Sequence, residues 1–197
     1  MRYWNQLLFE DVPYSTNLDE PDSDFAVHGT MKQAGCGLCS LCMVIERLCV
    51  ETLSLEECRD LAISAGANRK PGTSMDILAP VIAERFDLDL EMTDDTDRLA
   101  GCLRGGGAAV VHVGGDREGY TGVFSHGGHY VVAISMREKE FCILDPSWEE
   151  TKYADEPRKS RVRQNGVWLY ATAEVLREDT ANRSPGFYLF TRRSDRP

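Results

Sequence analysis

Several things are missing from this sequence, and each absence removes a class of protein. No stretch approaches the roughly 20 apolar residues of a membrane span. The N-terminal MRYWNQLLFEDVPYS lacks the apolar run, roughly seven residues or more, of a secretory signal. The expected location is therefore cytoplasmic, or outside the cell if a leader has been removed. Basic residues are in deficit, 22 against 32 acidic, for a net charge of −10. That deficit argues against nucleic acid or an anionic membrane as the main partner. Internal repeats and low-complexity tracts are absent too. One ordinary domain is expected over residues 1–197, long enough to bury a real core.

What is present is 42% hydrophobic and 27% charged, and it divides into two halves by period. Residues 1–35 read as irregular, with the polar stretch NLDEPDSD as exposed loop. Helices are expected from Gly35 to about Val50, over 54–66 with Ser54 as cap, over 74–86 with Pro80 kinking it or delaying its start, and in TDRLAGCLRGGG. The second half turns to short β-branched and aromatic runs, AAVVHV, HYVVAI, EFCILD and FYLFTR, which read as strands. Between them, EETKYADEPRKSRVRQNG reads as a charged loop and TAEVLRED as a helix capped by Thr172. The predicted class is α+β, with a helical part over about 30–105 packed on an antiparallel sheet over about 106–193. A cleft is expected where the halves meet.

Four of seven cysteines crowd into QAGCGLCSLCMVIERLC at 33–49. A ferredoxin-type run needs a fourth Cys where Glu46 stands, followed by Pro where Arg47 stands. A zinc site needs a second knuckle, and His126–His129 falls short of finger spacing. At about 100° per residue, Leu38, Leu41, Cys42, Val44, Ile45, Leu48 and Cys49 share an arc of roughly 160°. Cys42 and Cys49 are therefore expected in the core, where a free thiol acts as a small hydrophobe. Cys39 lies at the edge of the arc. Only Cys36, between two glycines at the first turn and opposite the arc, meets unpaired N–H groups and the positive end of a helix dipole, which favour thiolate.

A cysteine nucleophile needs a base, and the base needs an orienter. In SHGGHYVVAISMREKEFCILDPSWE, a hairpin centred on Arg137 sets His129 directly opposite Asp145, on one face. His28, His112 and His126 have no such partner; His112 reads as a strand residue and the others as loop residues. An amide to complete an oxyanion hole could come from Gln6 or Gln33, and spacing does not choose between them.

Together, Asn5–Gln6, Gly35–Cys36–Gly37, P-G-T-S at 71–74, GYTGVFSHGGHY at 119–130 and LDP at 144–146 resemble the peptidase C39-like cysteine peptidases. These are papain-like proteins related to the domains that process bacteriocin leaders. The likeness runs from about residue 3 to about 150. It implies a papain-like fold, with Cys36 as nucleophile, His129 as general base, Asp145 as its orienter and Gln6 as oxyanion donor. It departs at Leu38 and Cys39, where many members have Pro and Thr, a difference expected at the rim of the site.

The expected activity is thus a cysteine peptidase acting on a peptide or amide substrate through a thioester, with no cofactor or metal. An amidase, transglutaminase or acyltransferase on the same site, and a non-catalytic peptide-binding module, are the alternatives. The acidic composition suggests a basic or neutral peptide, and Trp148 is a candidate for the cleft wall or for the core.

Overall fold

The computed structural model describes residues 1–69 and 71–193. Its helices are α1 (Asp24–His28), α2 (Met31–Ala34), α3 (Cys36–Leu48), α4 (Leu55–Ser64), α5 (Met75–Arg85), α6 (Thr96–Arg104) and α7 (Ala173–Thr180). The strands are β1 (Leu88–Thr93), β2 (Ala108–Val113), β3 (His129–Arg137), β4 (Glu140–Leu144), β5 (Arg163–Asn165), β6 (Trp168–Thr172) and β7 (Phe187–Arg192). A 3-10 turn at Gln6–Leu8 precedes them all. The strands form one antiparallel sheet in the order β1-β7-β2-β3-β4-β6-β5.

Alternation along the central strands gives each sheet face its own core. Val110, Tyr130, Val132, Leu144 and Tyr188 pack toward α3, α4 and α5. Val111, Val131, Ala133, Ile143 and Phe187 pack toward α6, α7, Phe124 and Tyr153. The α+β class is as the residues imply, but the split into a helical and a sheet half is blurred. The sheet takes its edge strand β1 from before residue 105, and α6 covers the face away from α3.

Helix α3 runs against β2 and β3 and carries α4 and α5 on its outer side. Every residue from Cys36 to Ile45 is buried, not only an arc of them. Cys39 is accordingly full core beside Cys42, whereas Cys49, expected inside, ends the helix half-buried. Ser54 caps α4 by accepting from the Glu57 N–H. Pro80 delays nothing: α5 begins at Met75 and carries Pro80 on its exposed side.

The β3–β4 hairpin departs from the expected register. Its turn is Glu138–Lys139, with Arg137 opposite Glu140, and the pairing is interrupted by a bulge between Ala133 and Ser135. Had the Arg137–Glu140 register run on unbroken, Asp145 would face Val132, and its side chain would oppose that of His129. The bulge absorbs Ile134, restoring Ala133 opposite Ile143 and Val132 opposite Leu144. Continued by one residue, this sets Asp145 across from Val131, diagonal to His129 on the same face. The direct pairing is corrected; the shared face survives, through a different register.

The turn carries strain, because Glu138 has φ +55°. A left-handed conformation costs a non-glycine residue about 1–2 kcal/mol, partly offset in any Gly variant by chain entropy. Glu138→Gly should therefore stabilise the protein by about 0.5–1 kcal/mol, visible as a higher urea midpoint with unchanged slope.

Candidate active site

Cys36 opens α3, with Gly35 as N-cap. Both flanking glycines are demanded by packing rather than by a ligand. A Cβ on Gly35 would lie 2.4 Å from the Met31 carbonyl oxygen, and one on Gly37 would press on the Thr73 Cβ at 3.0 Å. Thr73 belongs to the P-G-T-S segment and bonds the buried Tyr14 hydroxyl at 2.8 Å. That segment is thereby held against the first turn of α3, where it lines the cleft.

His129 stands at the start of β3, against Cys36. Its Nε2 meets Asp145 Oδ1 at 2.7 Å, which leaves Nδ1 as the ring nitrogen free for the thiol. Asp145 has no exposed surface. Its Oδ1 also accepts from the Ser147 N–H (2.8 Å) and hydroxyl (3.1 Å), and its Oδ2 accepts from Lys152 Nζ and the Tyr153 hydroxyl, each at 2.6 Å. The Tyr3 hydroxyl donates to the Asp145 backbone carbonyl.

The charges follow from this packing. Burial alone would push the Asp145 carboxyl up, but His129 and Lys152 outweigh it and hold it well below the usual range. Burial alone would discharge His129, but Asp145 and Cys36 outweigh it and raise the imidazole to about 9. The Cys36 thiol is lowered although burial opposes it, by His129 first and then by the backbone N–H groups of Tyr130 and Gly37. The Cys39 thiol of the same helix and the Cys58 thiol of α4 behave oppositely. Burial holds Cys39 well up, and the buried Cys42 thiol beside Cys58 joins burial in doing the same there.

Gln6 is buried and its amide Nε2 donates to the Lys32 carbonyl at 2.7 Å. Its backbone N–H donates to the Pro146 carbonyl at 2.8 Å, tying it to the segment that carries Asp145. Asn5 caps the 3-10 turn through Leu7 N–H and reaches the Trp148 carbonyl. Gln33 is exposed and closes a capping box on α2. The site thus gathers Cys36, His129 and Asp145 by contact. Gln6 is anchored to the Pro146 carbonyl, beside Asp145, with one amide hydrogen committed to Lys32.

No protein-family model and no curated protein matches the chain. Solved structures do. The peptidase domain of Streptococcus ComA, a bi-functional ABC transporter involved in a quorum-sensing pathway, matches with TM-score 0.52 and 15% identity, over 80% of this chain and 91% of that one. A C39-like peptidase from Bacillus anthracis matches with TM-score 0.57 and 14% identity, over 94% and 97%. The chain has the C39-like peptidase fold.

Within that C39-like fold, several expectations shift. Leu38 and Cys39, expected at the rim, have no exposure and belong to the core under α3. Trp148 packs half-buried against the core on the far face of the sheet and does not line the cleft. His28 ends α1 instead of lying in a loop. His126 does have a partner, Asp116 at 2.9 Å, but both are open to solvent. His112 lines the cleft, stacked on Tyr130 at 4.4 Å between ring centroids. Among the described residues, no three Cys, His, Asp or Glu side chains converge as a metal-binding set.

Lys152 and Tyr153 are the partners that sequence reasoning missed. They lie in what reads as a charged loop, and nothing in its composition separates a lysine that will meet a buried carboxylate from its solvated neighbours. The strands β5 and β6 did have a signal, Asn165–Gly166, with Gly166 at φ +58° in the two-residue turn between them.

Two measurements follow from this electrostatics. Lys152→Met leaves the buried carboxylate facing one cation instead of two. It should cost about 3 kcal/mol in urea unfolding and move the His129 imidazole titration, read by NMR, above about 9.

The second concerns stability against pH. A histidine raised to about 9 stabilises the fold fully below 6.5 and loses that contribution as pH rises through about 9. A thiol held below 9.0 contributes above 9.0 and loses it as pH falls through its folded value. Between that folded value and about 9 the slopes oppose each other, because the proton on the imidazole is the one the thiol released. Wild-type unfolding free energy should therefore be nearly level there, whereas that of Cys36→Ala declines as pH rises above 6.5. Equal slopes in the two proteins would exclude the shared proton.

Proposed function

We propose that the protein is a cysteine peptidase, hydrolysing a peptide or amide bond through Cys36, His129, Asp145 and Gln6. The observation that carries this reading is the His129 imidazole, set between a thiol at a helix N-terminus and a buried carboxylate 2.7 Å from its Nε2. The fold shared with two peptidase domains supports it as well.

In the proposed reaction the Cys36 thiolate attacks the substrate carbonyl carbon, and the π electrons move to oxygen. The Cys36 backbone N–H and the second amide hydrogen of Gln6 hold that oxyanion. Imidazolium His129 gives its Nδ1 proton to the leaving amine as the C–N bond breaks, leaving a thioester on Cys36. Water, deprotonated by His129, attacks the thioester, releasing the acid and restoring the thiolate. Asp145 holds the ring with Nε2–H toward itself, so that Nδ1 faces the sulfur throughout.

Six other cysteines provide an internal control. Near neutral pH, Cys36 should be alkylated by iodoacetamide roughly tenfold or more faster than any of them. Peptide turnover should fall on the alkaline side of about 9, as His129 loses the proton it gives to the leaving amine. His129→Ala should abolish both the excess rate and turnover of a peptide library. Equal reactivity across all seven thiols would sink the proposal.

A further inference from the structure

The cleft beside Cys36 and His129 encloses about 490 Å³, and its charged groups are not all neutralised alike. Arg69 pairs with Asp19 at 3.6 Å. Asp76 accepts from the Tyr188 hydroxyl at 2.7 Å. Arg183 has no such partner. Among the described residues it enters no ion pair. Its Nε is buried with no hydrogen-bond partner.

Arg183 is nonetheless held in place. Its backbone N–H donates to the Thr180 carbonyl at 2.8 Å, at the end of α7. The next residues are fixed to Asp94, through the Ser184 hydroxyl and the Gly186 N–H, each at 2.7 Å. On its other side the guanidinium lies against Gly128, where a Cβ would sit 2.6 Å from Nη2. The bare backbone immediately before His129 is thus what lets the cation approach the reaction centre. His112 brings no competing charge: burial first, and then Arg183, lower it to about 4.

A guanidinium is a planar fork of donors, and its best match is a carboxylate accepting two hydrogen bonds. A cation kept partly out of water without a counter-ion is costly unless something supplies one. We propose that Arg183 is a specificity residue that binds a carboxylate of the substrate, from an acidic side chain near the scissile bond or from a peptide C-terminus. This deepens the peptidase reading and rests on the cleft being the substrate site. It reverses the preference for basic or neutral peptides that the net charge suggests, because contact with one oriented cation outweighs a diffuse, salt-screened field.

The test is binding, kept separate from turnover. Fluorescent peptides with both ends blocked, carrying Glu or Gln at each position in turn, are titrated against Cys36→Ala by anisotropy. A neutral set with a free or amidated C-terminus forms the second arm. One carboxylate-bearing set should bind about tenfold tighter than its amide isostere, and which set does so identifies the source. Adding Arg183→Gln should erase that difference, and Arg183→Lys should keep part of it. Equal binding of acid and amide peptides, or a difference that survives Arg183→Gln, overturns the proposal. The alkylation of Cys36 in the wild type is judged independently. A fast thiol without acid preference removes this inference alone, and an acid preference with an ordinary thiol removes the peptidase alone.

Discussion

A carboxylate cut off from water has to be matched by cations and donors held beside it, and Asp145 imposes that requirement here. It draws on four other stretches of chain. His129 comes from the start of β3, Ser147 from the following turn, and Lys152 and Tyr153 from the loop beyond. Tyr3 reaches its backbone from the N-terminus. The same carboxylate therefore closes the loop after β4 and sets which nitrogen of His129 is turned toward Cys36, and the backbone carbonyls of the segment it fixes, at Asp145, Pro146 and Trp148, dock Tyr3, Gln6 and Asn5. Breaking it would disturb folding and the site together.

The other half of the arrangement is α3, a helix buried on all sides for its first three turns. Such a helix has no solvated face to orient it, so small residues and close packing do that work. Gly35 admits Met31, and Gly37 admits Thr73. The first turn is thereby pressed between α2 and the P-G-T-S segment. The thiol at its end can then meet the Tyr130 N–H of the sheet without rearrangement. The nucleophile is positioned by helix packing and the base by strand pairing, and the two meet only because α3 lies along β2 and β3.

Much of this could be read from residue order, and the failures have physical causes. α3 was visible from its apolar period, yet the period also suggested an exposed flank, because a fully buried helix still needs only some large apolar side chains. The association of His129 with Asp145 was visible because side chains alternate, although the register behind it was wrong. A bulge leaves no mark in the pattern of Ala133, Ile134 and Ser135. β1 escaped notice because an edge strand that alternates Leu88, Asp89, Leu90, Glu91 looks half polar. Lys152 escaped because a lysine drawn to a buried carboxylate differs from a solvated one only in what lies next to it.

The bulge in β3 also bears on how this hairpin can change over time. What the site requires of the hairpin is that His129 and Asp145 keep the same parity across the ladder, a condition indifferent to the turn's own length. Residues added at Glu138–Lys139 loop out beyond the Arg137–Glu140 pair and leave the pairs below as they are, whereas one residue gained or lost inside a strand, between that pair and the site, inverts the parity. Length changes in descendants of the chain should therefore gather in the turn, and a single-residue change inside either strand should come with a compensating irregularity.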